Sequence, residues 1–124
     1  MARTQDRAKR KISGGVYQRP TKVVSRLARA STLTKLGNKK VKSIRVRNGK
    51  QKNILLLINK INVFDSKAKK NKVAEIKTVI ETPSNRHFVR RNIITKGTIL
   101  ETSLGKVKVT SRPGQEGTLN GILI

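Results

Sequence analysis

The sequence of 124 residues contains no cysteine and no tryptophan, and aromatic residues make up only 2% of the chain. The absence of cysteine excludes disulfide bonds, cysteine-ligated zinc and thiol nucleophiles. The scarcity of aromatic side chains leaves few surfaces on which the bases of a single-stranded nucleic acid can stack. A disulfide scaffold and an aromatic base-stacking platform are therefore not expected.

Groups that perform acid–base chemistry or bind metals are also scarce, because the chain has six Asp and Glu residues and one histidine. That histidine, His87, has no acidic or nucleophilic neighbour in the sequence. The nucleotide-binding patterns GxGxxG and GxxxxGK followed by Ser or Thr do not occur. We predict no enzyme activity, no metal site and no cofactor.

Hydrophobic runs are short, and the longest, "ILLLI", covers residues 54–58. A transmembrane helix needs about 20 apolar residues. The first residues, "MARTQDRAKRK", lack the apolar region of a signal peptide. We predict a cytoplasmic location. A mitochondrial presequence is the alternative, because the first residues are Arg-rich, but no amphipathic stripe supports it.

Positive charge is abundant, with 30 Lys and Arg residues and a formal net charge of +24. Solubility alone needs a net charge of only about 2 to 8. Few self-contained domains carry so much self-repulsion, so a polyanionic partner is expected, and nucleic acid is the commonest one. A DNA-compacting protein remains an alternative to an RNA-binding one at this point.

The charge divides the chain into two parts, because residues 1–47 have a net charge of +14 and residues 48–124 have +10. The first part has no sustained hydrophobic periodicity. We predict a basic RNA-binding extension over residues 1–40 that becomes ordered on its partner, followed by a small domain over residues 41–124. Residues 21–30 could form a short helix capped by Thr21, with an extended bound conformation as the alternative.

Short strands are predicted from about residue 41 onwards. Asn48-Gly49 indicates a two-residue hairpin turn, and the run "QKNILLLIN" is apolar on both faces, as a buried strand should be. In "VAEIKTVIE" the alternation places Ala74, Ile76, Thr78 and Ile80 on one face. We therefore predict strands without a convincing helix between them.

Glycine turns punctuate the last third of the chain. Pro113-Gly114 fits the two central positions of a type II turn, and the closing "TLNGILI" is predicted to be a strand tied into the sheet. The pattern predicts an all-β fold, a small closed barrel or sandwich of short antiparallel strands with an extended basic N-terminal tail.

The segment "NRHFVRRNIITKGT", residues 85–98, concentrates arginine beside apolar anchors. In a strand Arg90 and Arg91 would point to opposite faces. We therefore predict that the segment leaves Pro83 as a loop and enters the barrel at Ile93-Ile94, which places both arginines where the loop meets the strand. Arginine suits phosphate because its planar fork donates two parallel hydrogen bonds. The alternative is a basic surface that simply faces solvent.

The same reasoning extends to the other basic residues and to two glycines where the backbone can approach a phosphate closely. Nothing in the sequence indicates readout of individual bases, so we expect recognition of RNA shape and backbone. The predicted RNA-binding residues are Arg3, Arg7, Lys9, Arg10, Lys11, Gly14, Gly15, Arg19, Lys22, Arg26, Arg29, Lys35, Lys39, Lys40, Arg45, Arg47, Lys50, Lys52, Arg86, His87, Arg90, Arg91, Lys96 and Arg112.

Several strings make the chain resemble the S8e family of small-subunit ribosomal proteins of archaea and eukaryotes. The strongest likeness is carried by "NRHFVRRNIITKGTILET" and "GKVKVTSRPGQEGTLNGILI". The shorter strings "RKISGG", "STLTKLG" and "RNGKQK" match in order. The chain lacks the large insertion of the eukaryotic members, so it looks like the archaeal form. Two departures are Arg86, where an apolar residue or proline is expected, and "RNGKQK" in place of a more glycine-rich turn.

The resemblance implies a compact β-barrel-like domain with a basic N-terminal extension threaded along small-subunit ribosomal RNA. It implies a structural role in subunit assembly, no enzyme activity, and neighbouring ribosomal proteins as further partners. A ribosome-biogenesis factor with the same domain is the alternative. The resemblance places these residues in the family's signature: Asn85, Arg86, His87, Val89, Arg90, Arg91, Asn92, Thr95, Lys96 and Gly97.

Overall fold

A computed structural model describes residues 8–18, 29–46 and 48–124. The chain divides into two compact units, residues 1–31 and residues 32–124. The elements of the second unit are β1 (Thr34–Leu36), β2 (Lys40–Arg45), β3 (Gln51–Ile58), β4 (Lys60–Asp65), β5 (Lys70–Glu81), α1 (His87–Arg90), β6 (Ile93–Ile94), β7 (Ile99–Thr102), β8 (Gly105–Val109) and β9 (Asn120–Leu123).

Five strands form a closed barrel in the order β4-β5-β7-β8-β9. Neighbouring strands are antiparallel except at the closure, where β9 runs parallel to β4 and pairs Val63 with Gly121. The predicted all-β fold with a closed barrel is thus confirmed, and the final apolar string is a strand of that barrel.

A second, open sheet has the order β2-β3-β1-β6. β1 is parallel to β3 and antiparallel to β6. The two sheets share one core, because Leu55 and Ile58 of β3 and Ile94 of β6 belong to the same buried cluster as the barrel residues Ile61 and Leu100. Both Ile54 and Leu55 are buried, which confirms that β3 is apolar on both faces.

The hairpin between β2 and β3 is present, but its turn is longer than the predicted two residues. Arg45 pairs with Gln51, and the Val46 N–H donates to the Lys50 carbonyl at 2.9 Å. Gly49 alone of the Asn48-Gly49 pair has a positive φ, at +80°. The Asn48 side-chain oxygen instead accepts from the Lys50 N–H at 3.2 Å. The predicted two-residue turn would need a positive φ at both Asn48 and Gly49. At Asn48 a hydrogen bond from its own side chain stabilises the turn instead.

The prediction that β5 buries one and the same face along its length is wrong beyond the middle of the strand. Ala74 and Ile76 point into the core, but the next buried residue is Val79, and Ile80 is 41% exposed. The pairing with β7 shifts register between Ile76 and Thr78 and again between Val79 and Glu81. Each shift adds one residue to β5, and one extra residue exchanges the faces on which the following side chains lie.

The turn at Pro113-Gly114 is also of another type than predicted. The Gln115 and Glu116 N–H groups both donate to the Arg112 carbonyl, at 2.8 and 2.9 Å. A type II turn would require a positive φ at Gly114, and Gly114 does not have one. Glycine is favoured at position 114 for a steric reason instead, because a Cβ there would lie 3.1 Å from the Thr32 carbonyl oxygen.

The first unit contains a small hairpin over residues 9–17. Arg10 and Val16 form an antiparallel bridge, and the Gly14 N–H closes a turn on the Lys11 carbonyl at 3.0 Å. Gly14 has φ +84°, a conformation that glycine adopts without strain. The predicted helix over residues 21–30 lies, apart from its last two residues, outside the described residues.

Replacing Lys69 with glycine is expected to stabilise the domain by about 0.5–1 kcal/mol, because Lys69 holds φ +49° in the β4–β5 turn. Thermal unfolding of the variant should show a higher midpoint. The control is Lys67→Gly, which removes the same charge from the same turn at a residue without positive φ. It should lower the midpoint, and a rise in both variants would show that charge rather than backbone strain is responsible.

Candidate nucleic-acid interface

Positive and negative residues are segregated within the second unit. Residues 32–58, which contain β1 to β3, hold eight Lys and Arg residues and no carboxylate. Residues 82–98, which contain α1 and β6, hold four and again no carboxylate. We call the described members of these twelve residues, together with Arg112, the cationic surface. The remaining residues 59–81 and 99–124 hold all five carboxylates of the unit.

The carboxylates of the barrel stand mostly opposite lysines on the adjacent strand. Glu75 pairs with Lys60, Asp65 with Lys70, and Glu101 with Lys106. Cross-strand pairs of opposite charge are mildly favourable and reduce the local field. The barrel surface is therefore partly balanced, whereas the strands of the open sheet and α1 carry no carboxylate. Glu116 lies in the same turn as Arg112.

The segment around Arg90 and Arg91 forms one helical turn, so the predicted loop is wrong in detail. The Asn85 side-chain oxygen accepts from the His87 N–H at 2.9 Å, and the Arg91 N–H donates to the Phe88 carbonyl at 3.2 Å. Phe88 and Val89 are half-buried and anchor the turn. A local hydrogen bond from the backbone to an asparagine side chain and two half-buried apolar residues accompany a turn that is too short for helical periodicity to reveal.

The helical turn removes the problem that a strand posed for the arginines. Side chains four residues apart lie on the same side of a helix, so Arg86 is beside Arg90 and His87 is beside Arg91. All four are exposed. None of these four side chains has a hydrogen bond or ion pair to another described residue, which leaves their N–H groups available to a ligand.

The end of this segment differs from the prediction as well. Asn92 has φ +49°, and its carbonyl accepts from the Leu36 N–H at 3.2 Å. The following strand, β6, therefore pairs with β1 in the open sheet and does not enter the barrel. Ile93 is fully buried there and lies directly across from Lys35. The turn thus brings the arginines next to the lysine of β1.

The open sheet supplies the other described members of the cationic surface. Lys35 of β1 is exposed, as are Lys40 and Arg45 of β2. The structure adds Lys42, also exposed on β2, which the sequence analysis missed. Its position on the same strand as Lys40 and Arg45 was the available signal. Lys39, Lys50 and Lys96 are likewise exposed, in the connections between strands.

Arg112 is brought to the open sheet by the turn over residues 112–115. The Pro113 carbonyl accepts from the Leu55 N–H at 3.0 Å, and the Lys52 ammonium donates to the side-chain oxygen of Gln115. Lys52 is half-buried, so part of its role is to hold this turn against β3. Arg112 therefore lies beside the open sheet although it is remote from it in sequence.

The predicted RNA-binding residues of the first unit are described only in part. Lys9, Lys11 and Arg29 are exposed; Arg10 donates to the Gly14 carbonyl at 3.2 Å, and the Lys11 ammonium lies 5.4 Å from the centre of the Tyr17 ring. Gly15 follows Gly14 in the hairpin and is exposed. Outside the described residues lie Arg3, Arg7, Arg19, Lys22, Arg26 and Arg47.

Comparison with known proteins decides the family. The family model of ribosomal protein S8e matches residues 4–124. The chain belongs to the ribosomal protein S8e family. It is 47% identical over 121 residues to small ribosomal subunit protein eS8 of Nanoarchaeum equitans, covering 97% of this chain and 95% of that protein. It is 45% identical over 122 residues to the eS8 protein of Methanococcus aeolicus, with coverage of 97% and 95%.

The eS8 protein of Methanosphaera stadtmanae is 44% identical over 125 residues, covering 100% of this chain and 99% of that protein. The predicted resemblance to the S8e family in its archaeal form is thus confirmed along nearly the whole chain. In this S8e-family chain His87 is exposed, its backbone N–H donates to the Asn85 side chain, and its own side chain makes no hydrogen bond to another described residue. Within the described residues there is no group of three potential metal ligands and no helix long and apolar enough to cross a membrane.

Proposed function

We propose that this chain is a structural constituent of the small ribosomal subunit that holds ribosomal RNA by its phosphates through the cationic surface. Both its family and its relatives, which are named small ribosomal subunit proteins, support the first part. The second part rests on one observation, the concentration of basic residues without any carboxylate on the open sheet and α1. The role is structural and not enzymatic, and it is performed in the cytoplasm on the ribosome.

The geometry suits a curved or folded RNA backbone. Lys35 belongs to β1, and Arg90 and Arg91 lie at the end of α1. β6 follows α1 in the chain and pairs with β1, so the three charges can contact successive phosphates. Arginine offers paired donors, and lysine offers a mobile point charge. Such contacts position a protein on RNA without reading its sequence. The exposed basic residues of the hairpin over residues 9–17 would add contacts from the first unit.

Assembly follows from the same electrostatics. RNA helices repel one another through their phosphates, so bringing them together requires positive charge between them. A protein with a net charge of +24 that contacts two RNA segments supplies this charge where the segments meet. Binding to RNA also stabilises the folded domain, because a ligand that binds only the folded state shifts the folding equilibrium. Neighbouring ribosomal proteins are the further partners that a place in the subunit implies.

Sedimentation of a cell extract tests the proposal. The protein should travel with small subunits and remain there after a wash in about 0.5 M salt, because neighbouring proteins and the folded RNA around a resident protein hold it by contacts that salt does not screen. A known resident small-subunit protein serves as the matched control. Release by the wash, together with presence in precursor particles only, would establish the alternative of a biogenesis factor. Sedimentation as free protein would overturn both.

A further inference from the structure

The outer face of the barrel carries a groove that the phosphate-binding proposal does not use. It has a volume of about 520 Å³ and crosses β5, β4 and β9. Strand register arranges its floor as two rows of outward-facing side chains. The first row is Asn71, Phe64 and Ile122, and the second row is Val73, Asn62 and Asn120.

The groove is unusual for this chain because it is almost uncharged. Lys and Arg make up 30 of the 124 residues, yet Lys72 is the single charged residue that lines the groove. A surface of this kind cannot neutralise a row of phosphates. The groove is therefore suited to a ligand group other than phosphate, which the cationic surface is proposed to bind.

The centre of the first row is an exposed aromatic ring. Phe64 is 40% exposed, and it is one of only two phenylalanines in the chain. Its neighbours Ile122 and Val73 are 40% and 66% exposed. A ring on the face of a sheet with aliphatic side chains beside it is a surface on which another flat ring stacks, as sheet and barrel proteins do with unpaired bases.

The asparagines supply hydrogen-bonding groups next to that ring. Asn62 donates through Nδ2 to Asn120 Oδ1 at 3.0 Å. This bond leaves Asn62 Oδ1 as an acceptor and Asn120 Nδ2 as a donor, and the Asn71 carboxamide has no partner among the described residues. Adjacent amide donors and acceptors match the polar edge of a nucleobase. A purely apolar protein partner would leave these three amides unsatisfied.

We infer that the groove binds one unpaired nucleobase of the ribosomal RNA, stacked on Phe64 and hydrogen-bonded by Asn62, Asn71 and Asn120. The inference rests on the proposed function and extends it, because it adds recognition of a base to recognition of the backbone.

A tryptophan reporter tests the site directly in the full-length chain. The natural sequence has no tryptophan, so Phe64→Trp introduces a single fluorophore at the proposed stacking position. Its emission should be quenched by at least one of the four nucleoside 5′-monophosphates and not by ribose 5-phosphate. The matched control is Leu104→Trp, at an exposed apolar residue of the β7–β8 turn. It should respond equally weakly to all five compounds.

Binding to ribosomal RNA provides the second measurement. Phe64→Leu should weaken the affinity roughly tenfold, corresponding to about 1.4 kcal/mol, without changing the salt dependence, whereas Phe64→Tyr should retain it. Unchanged affinity in Phe64→Leu together with an unquenched Phe64→Trp would overturn the inference. So would a crosslink from the groove to a neighbouring protein in the subunit. If the natural chain itself failed to bind ribosomal RNA, the proposed function would fall first.

Discussion

Replacing Lys35, Lys40, Lys42, Arg90 and Arg91 with glutamine is expected to weaken binding to ribosomal RNA by roughly 10² to 10³-fold near 0.15 M salt. Each phosphate contact contributes about 0.7 to 0.9 to the slope of log affinity against log salt. Loss of five contacts should therefore make that slope shallower by roughly 3.5 to 4.5. Titration of the RNA at several salt concentrations measures both quantities.

The matched control for this variant removes five charges from the barrel instead. Lys60, Lys67, Lys70, Lys77 and Lys106 are all exposed, and three of them pair across strands with carboxylates. Their replacement with glutamine changes the net charge equally. It should cost less than about tenfold in affinity, because long-range attraction is screened beyond about 8 Å at physiological salt. Equal losses in the two variants would mean that total charge, and not its location, governs binding.

Replacing Gly121 with alanine is expected to destabilise the barrel by about 1–3 kcal/mol or more. Gly121 lies in β9 between β4 and β8. A Cβ at this position would approach Val107 Cγ1 to 2.5 Å, the Lys108 carbonyl oxygen to 2.9 Å and Ile61 Cδ1 to 3.0 Å. Because one of these atoms belongs to the backbone of β8, relief requires the strands to move apart.

Thermal unfolding measures the effect of that substitution. For a domain of this size, 1 kcal/mol lowers the midpoint by roughly 4–8 °C. The control is Gly15→Ala, where the added methyl group would lie 3.8 Å from Ser13 Oγ, an ordinary contact. Its midpoint should remain within about 1 °C of the natural chain. A Gly121→Ala variant that unfolded at the natural midpoint would show that the barrel tolerates a wider separation of β8 and β9.

The barrel was predictable because its strands are long enough for alternation to show and are separated by glycine turns. The open sheet was not, because β1 and β6 have only three and two residues and pair with strands that are distant in the chain. Register shifts are also invisible in an alternating sequence, which is why Ile80 was assigned to the wrong face. These features depend on tertiary pairing and not on local pattern.

Counting charges identified the basic residues, but their sorting in space required the fold. Tertiary hydrogen bonds and strand pairing show that Arg112 and Lys35 lie at the same sheet, while Lys60 and Lys106 lie opposite carboxylates. The groove at Phe64 was missed for the same reason. Alternation in residues 61–64 places Phe64 on the same face as Asn62. The six side chains come from three strands, however, and one strand does not show which residues of its neighbours lie beside it.

The position of β2 at the rim of the open sheet has a consequence for the protein before it meets RNA. An edge strand offers unpaired backbone N–H and C=O groups to any extended chain, and two copies of one protein are prone to pair edge to edge there. Lys40, Lys42 and Arg45 occupy three of its six residues. Two approaching copies would therefore repel each other along the whole strand. The basic residues of β2 that are proposed to bind phosphate in the subunit therefore also protect the newly made chain from aggregation.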